Sequence, residues 1–220
     1  MKALIIDTET TTADETAEII EAAWIDLEDD SEYCERFLPA GTIAFGAMAV
    51  HHIMLHDLTG CRSAAEFALP EVEFVIGHNV DFDWRVMGSP EVKRICTLAL
   101  CRYLWPELDS HKQGAVMYFL FGADAQDQVK GAHNALCDVR MCQQIFFSCV
   151  GELVQRGICC DTLQDIWQAS EIARVPTIMS FGKHKGMAVK DVPRDYMRWY
   201  LGQAETDEYM RKAFLQVMQR

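Results

Sequence analysis

Short apolar runs and amphipathic stretches alternate along the chain, and their order predicts the fold. KALIID (2–7) is an apolar run ending in a carboxylate, the pattern of a buried strand. AEIIEAAWIDL (17–27) and YCERFL (33–38) read as two more strands, joined by the acidic turn EDDS into an antiparallel meander. Residues 39–68 are broken by Pro39, Gly41, Gly46 and Gly60, with at least one short helix. EFVIGHN (73–79) is a further strand-like run ending at Gly77, with a helix expected after it, and KRICT (93–97) is another strand. Helical periodicity then dominates. LALCRYLW is stopped by Pro106, HKQGAVMYFLFG by Gly122, and NALCDVRMCQQIFFSCV by Gly151. DTLQDIWQASEIA follows, with Asp161 as its N-cap. A meander followed by alternating helices and strands predicts an α/β fold, a mixed sheet flanked by helices.

The pattern changes near Val175–Pro176. TIMSFGKHKGMAVKDV contains two short β-like runs around Gly182 and Gly186, and PRDYMRWYL and TDEYMRKAFLQVM read as helices. The expected organisation is a main domain over 1–173 and a small α+β C-terminal appendage over 174–220, too small to bury much core by itself.

Composition narrows the class. Half of the 220 residues are hydrophobic and about a quarter are charged, as in ordinary soluble domains. No apolar stretch approaches the roughly 20 residues of a membrane span, and the first residues lack the apolar core of an export signal. Nine cysteines without a C-x-x-C pair read as reduced thiols, which implies a cytoplasmic protein. The net charge of −13 argues against a polyanionic partner until its distribution is read. Residues 1–60 hold two basic side chains against thirteen acidic ones. Residues 170–200 hold six basic against three acidic. The acidic end suits a metal, and the basic segment suits docking of a polyanion.

The acidic end begins with LIIDTET, residues 4–10. Side chains alternate along a strand, so Asp7 and Glu9 face one side and Thr8 the other. Two carboxylates on one side repel unless something cationic lies between them. A hard divalent cation wants about six oxygen ligands, so more acids must come from elsewhere. GHNVDFDWRVM offers Asp81 and Asp83 where a strand hands over to a helix, and HNALCD (133–138) offers a histidine and an aspartate. Five residues of helix turn through about 500°, so His133 and Asp138 do not share a face of one helix. Both serve one site only if His133 precedes the helix and Asn134 caps it. Singly, each of these residues is an ordinary strand-end, cap, loop or surface group; their joint order carries the signal.

The set Asp7, Glu9, Asp83, His133 and Asp138 resembles the DEDD exonuclease superfamily with a catalytic histidine. DTET matches its first motif. HNVDFD matches the second, in which the aspartate after phenylalanine is the ligand, so Asp83 rather than Asp81. HNALCD matches the third. AMAVHHI, RICTLALCRYLWP and SFGKHKGMAVKDVPRDYMRWYL extend the resemblance to one branch of the superfamily over nearly the whole chain. The first motif departs from the usual Thr-Gly-Leu continuation, with Thr11-Thr12-Ala13 in its place.

The resemblance implies a ribonuclease H-like fold and a metal-dependent 3′-to-5′ exodeoxyribonuclease releasing nucleoside 5′-monophosphates, with a role in DNA repair. It implies that Asp7, Glu9, Asp83 and Asp138 hold two Mg²⁺ or Mn²⁺ ions and that His133 is the general base. Thr8, Thr10, Asn79 and Phe82, beside the motif acids, are candidate substrate contacts, as is His51. Lys183 and Lys185, in a turn flanked by glycines, are candidate phosphate contacts. The partner so implied is nucleic acid, DNA ahead of RNA, with a homodimer allowed and no membrane. The alternatives are an RNA-trimming enzyme of the ribonuclease T or oligoribonuclease type and a polymerase-associated proofreading exonuclease. A haloacid dehalogenase-type phosphatase would need an aspartate where Glu9 stands and leaves HNALCD unexplained. Loss of a carboxylate or of His133 would favour a non-catalytic module, and none is lost.

Overall fold

The structure, a computed structural model, describes residues 2–179, 181–204 and 206–219. The chain divides into two compact units, Met1–Ser170 and Glu171–Arg220.

A six-stranded mixed sheet, ordered β4-β3-β2-β1-β5-β6, organises the first unit. The meander is β1 (Ala3–Thr10), β2 (Ile19–Asp26) and β3 (Glu32–Leu38), paired antiparallel. The two-residue β4 (Arg62–Ser63) lies parallel to β3. On the other side, β5 (Phe74–Gly77) and β6 (Lys93–Cys96) run parallel to β1. Leu4, Ile5, Ile6, Phe74, Val75 and Ile76 are all buried, as central strands covered on both faces require. Glu32, Cys34, Arg36 and Leu38 are exposed on β3, in keeping with its place near the sheet edge.

The helices of this unit are α1 (Phe45–His51), α2 (Asp81–Val86), α3 (Thr97–Leu104), α4 (Gln113–Phe121), α5 (Gln126–Lys130) and α6 (Ala135–Gln155). α7 (Leu163–Ala173) begins in the first unit and ends in the second. α6 packs across β1 and β2 and against α3 and α4. Its buried residues Ala135, Val139, Cys142, Phe146, Cys149 and Leu153 recur at helical spacing. No helix among the described residues is long and apolar enough to cross a membrane.

The second unit holds α8 (Arg194–Leu201) and α9 (Glu208–Met218). Its core is formed by Met179, Val189, Val192, Met197, Tyr200, Met210, Ala213 and Phe214.

Three local expectations are corrected. α6 continues through Gly151 to Gln155. Nothing lies within 4 Å of the place a Gly151 side chain would occupy, and buried Cys149 and Leu153 flank it, so packing outweighs a glycine penalty of about 1 kcal/mol. α7 is capped by Thr162, not Asp161. Thr162 Oγ1 accepts from the Asp165 N–H at 3.2 Å, and the Asp165 carboxylate accepts from the Thr162 N–H at 2.9 Å. This reciprocal pair satisfies two donors at once, which Asp161 could not do from one residue further out. The two β-like runs of the C-terminal segment form no strands among the described residues. They give one antiparallel bridge, Ile178 with Ala188, and 3₁₀ turns at Gly182–His184 and Val189–Asp191. Ser180, inside the first run, lies outside the described residues.

Candidate active site

β1 brings Asp7 and Glu9 to its carboxyl-terminal end, two residues apart and on one side. In the register with β2, Glu9 stands opposite Glu21 and Asp7 opposite Ala23. The strand then leaves the sheet without a glycine. Thr11 closes the following loop, its N–H donating to the Glu18 carbonyl at 3.0 Å and its Oγ1 accepting the Glu18 N–H at 3.0 Å. Thr12 has no left-handed backbone, so this loop forms without the glycine usual at that position.

Asp83 arrives from the first turn of α2. The tight connection from β5 depends on Gly77, where a Cβ would meet Val80 Cβ at 3.1 Å and the Ile6 carbonyl oxygen at 3.3 Å. Asp83 is buried, and its Oδ1 accepts two bonds from Thr8: the N–H at 3.0 Å and the hydroxyl at 2.7 Å. Asp81 is engaged elsewhere, paired with Arg94, whose guanidinium lies over the Trp84 ring at 4.0 Å. The structure thus separates the two aspartates of DFD, one to the carboxylate cluster and one to a surface ion pair.

Asp138 and His133 come from the amino end of α6. Asn134 caps the helix, accepting from the Cys137 N–H at 3.2 Å. His133 precedes it in a left-handed conformation, φ 68°, and its N–H donates to Asp138 Oδ2 at 2.8 Å. Gln113 Nε2 reaches the Asp138 carbonyl at 2.8 Å and its Oδ1 at 3.1 Å. A ring nitrogen of His133 and carboxylate oxygens of Glu9 and Asp138 all lie within 4.8 Å of one another. The exposed imidazole is therefore turned toward the carboxylates.

The electrostatics follow from crowding like charges where water is scarce. Burial holds the Asp7 carboxyl well above the usual range, and Asp83, Asp138, Glu9 and Glu21 add to the effect. Glu9 is raised to about 8, first by burial and then by Asp138, Glu21 and Asp83. Burial raises Asp83 to about 6 against the lowering effect of the Thr8 hydrogen bonds. Asp138 is raised by burial, with the His133 N–H opposing. Without a counter-cation, Glu9 at least holds its proton near neutral pH.

The remaining candidates are distributed differently. Thr8 and Thr10 are buried and their hydroxyls are spent inside the protein, Thr8 on Asp83 and Thr10 on the Thr12 carbonyl at 2.7 Å. Each hydroxyl proton is thus committed within the protein, while both oxygens keep acceptor capacity. Asn79 is exposed with φ 76°, and Phe82 is half-buried on α2. His51 is 6% exposed. Its Nδ1 accepts from the Ile53 N–H at 2.9 Å, which leaves the proton on buried Nε2, and the Thr10 backbone is among the groups that act on the ring. Lys183 and Lys185 are exposed in the second unit.

Sequence reasoning missed three residues. Glu21 is buried, paired through Oε1 with Arg36 Nε at 2.7 Å and through Oε2 with the Ala135 N–H at 3.0 Å. Arg36 and Gln113 complete the supports. The available signal was a lone glutamate inside the apolar run IIEAAW.

No protein-family model matches the chain. Exodeoxyribonuclease 10 of Escherichia coli K12 is 28% identical over 211 residues, covering 89% of this chain and 88% of that one, and the protein of E. coli O6:H1 matches equally. Among solved structures, exonuclease X in complex with 5′ overhanging duplex DNA aligns with TM-score 0.56 and 24% identity, over 75% of this chain and 99% of that chain. The zinc-bound E. coli ExoI–ssDNA complex aligns with TM-score 0.57 and 15% identity, over 94% of this chain and 60% of that one. The resemblance to DEDD-type exonucleases read from the motifs therefore stands, and the ribonuclease H-like fold is shared with these structures.

Proposed function

We propose that this protein is a metal-dependent 3′-to-5′ exodeoxyribonuclease that releases nucleoside 5′-monophosphates. The observation that carries the reading is the meeting of Asp7, Glu9, Asp83 and Asp138, with the His133 imidazole within 4.8 Å of Glu9 and Asp138 oxygens. The relatives support it: one is named as an exodeoxyribonuclease, and the two structures contain DNA.

The donor set fits a hard divalent cation. Four acids, raised by mutual repulsion and burial, gain most from a counter-cation, and their oxygens suit Mg²⁺ or Mn²⁺. Asp7, Glu9, Asp83 and Asp138 would hold two such ions, which when bound supply an acidified water and charge stabilisation at the scissile phosphate. The protein's own residues do the rest. His133 accepts the proton of the attacking water at its free ring nitrogen, and its N–H bond to Asp138 holds the loop that carries it. Thr8 fixes Asp83 by two bonds to one oxygen. His51, Asn79 and Phe82 serve as contacts to the terminal nucleotide.

We assign residues 1–173 to the exonuclease domain and 174–220 to an appendage in which Lys183 and Lys185 meet phosphates. DNA is the preferred substrate over RNA, and 3′-end processing in repair the setting, in the cytoplasm.

The deciding experiment digests end-labelled single-stranded DNA, duplex DNA and RNA with Mg²⁺ and with EDTA. Stepwise shortening of DNA from the 3′ end, with Mg²⁺ alone, is expected. Faster shortening of RNA would shift the reading to an RNA-trimming enzyme, and cleavage indifferent to EDTA would overturn it.

A further inference from the structure

Glu21 is a fifth carboxylate beside four others, 2% exposed and directly across the sheet from Glu9. Its charge adds to the repulsion felt by Asp7, Glu9 and Asp138. A buried carboxylate in such company is costly unless each oxygen is well met. Both are. Oε1 takes Arg36 Nε at 2.7 Å. Oε2 takes the Ala135 N–H at 3.0 Å, with Asn134 Nδ2 at 3.5 Å.

Ala135 is the first residue of α6, a helix of 21 residues. The first N–H groups of a helix have no partner within it, and their end of the helix is partly positive. Asn134 serves the Cys137 N–H, and Glu21 serves that of Ala135. His133 and Asp138 lie on either side of this contact in sequence.

We infer that Glu21, held by Arg36, is a positioning residue that pins the amino end of α6 to β2 and so sets His133 and Asp138 against Asp7 and Glu9. The inference rests on the reading of His133 and Asp138 as site residues. Arg36 has a second part in it: its Nε holds Glu21 Oε1 at 2.7 Å and so fixes the carboxylate in place. Its side chain is 42% exposed, so the pair reaches from the sheet interior to solvent.

Glu21→Gln is the informative variant. Its amide keeps the shape but has one acceptor oxygen, so either Arg36 or Ala135 loses its bond. Two measurements are made on the full chain free of substrate. Calorimetric titration with Mn²⁺ is expected to show affinity weakened about 10- to 100-fold, the usual cost of removing a group that orients a metal ligand. Amide hydrogen exchange is expected to accelerate in the first turn of α6, with β1 and β5 unchanged. With DNA, kcat should fall while KM stays near that of the wild type. Arg36→Gln, at a half-exposed position, should shift the same quantities in the same direction and decides the matter if Glu21→Gln fails to fold.

Wild-type Mn²⁺ affinity with unchanged α6 exchange in a folded variant would overturn the inference. So would exchange accelerated evenly over the whole sheet, since Glu21 would then be a general support of the fold. The two readings fail separately. A wild-type protein that cleaves DNA alongside an indifferent Glu21→Gln overturns only the positioning role. A wild-type protein that cleaves no nucleic acid removes the exonuclease reading, and the exchange measurement still tests the pin.

Discussion

Thr8 gives both of its donors to a single oxygen of Asp83, its N–H at 3.0 Å and its hydroxyl at 2.7 Å. The two residues are 75 apart in sequence and come from β1 and α2. One residue of the strand thus offers its neighbours Asp7 and Glu9 to the site and also holds the third acid in place. Asp83 stays nearer its ordinary range than its burial alone would allow because these bonds favour its charged form.

Thr8→Val keeps the side-chain shape and removes the hydroxyl. A hydrogen bond to a charged group contributes about 1.5–3 kcal/mol, and a buried partner left short raises the cost. The variant should lose about that much stability by chemical denaturation at pH 8, where Asp83 is ionised. Its kcat should fall about 10-fold or more with KM little changed. Wild-type stability and kcat together would show that the backbone N–H alone holds Asp83.

The crowded acids make the metal-free protein sensitive to pH, and the sign is fixed. Glu9 rises from about 4.5 to about 8 on folding, and Asp83 to about 6. Raised acids bind protons more tightly in the folded state, so their contribution is full at low pH and is lost as pH climbs through the folded values. In EDTA, Tm should fall from pH 5 to pH 8.5. Saturating Mn²⁺ should remove most of that fall, because the cation replaces the protons. Asp7→Asn should raise Tm in EDTA by about 2–4 °C for each kcal/mol of repulsion relieved, while abolishing cleavage. A flat Tm profile in EDTA would mean that the acids are neither as buried nor as close together as in this structure.

His133 should affect turnover rather than binding. His133→Ala should lower kcat by about 10²- to 10⁴-fold, the usual share of a general base. Single-turnover kinetics on end-labelled DNA separate this from affinity. Unchanged kcat with a raised KM would make His133 a binding residue.

Much of this site was legible because local rules generate it. Alternation along β1 puts Asp7 and Glu9 together whatever lies across the sheet. The five-residue spacing of His133 and Asp138 forces the histidine off the helix, and the Asn134 cap follows. Glu21 was not legible. Within IIEAAW it reads as one polar interruption of a buried strand, and its partners lie 15 and 114 residues away. The partners of the Thr8 and Thr10 hydroxyls were equally out of sight, since one lies 75 residues away on α2 and the other in the loop that follows β1. Gly182 and Gly186 mimic strand ends, yet the chain forms 3₁₀ turns at Gly182–His184 and, past Gly186, at Val189–Asp191.

The basic segment of the second unit gives the last prediction. Lys183 and Lys185 lie at a 3₁₀ turn, and Lys183 Nζ sits 5.3 Å over the Tyr196 ring. Tyr196 in turn lies 5.3 Å from Trp199, which is 57% exposed. A cation held on an aromatic face loses less freedom when it meets a phosphate, and an exposed aromatic ring beside it suits an unstacked base. Each phosphate contact on a single strand contributes about −0.7 to the slope of log affinity against log salt. Lys183→Ala/Lys185→Ala should therefore weaken binding to a long single strand and flatten that slope by about one unit or more. Cleavage of a dinucleotide, with too few phosphates to engage both the active site and this turn, should be unchanged. Binding titrations of wild type and double variant across a salt series decide it, since equal slopes would leave these lysines as solvated surface.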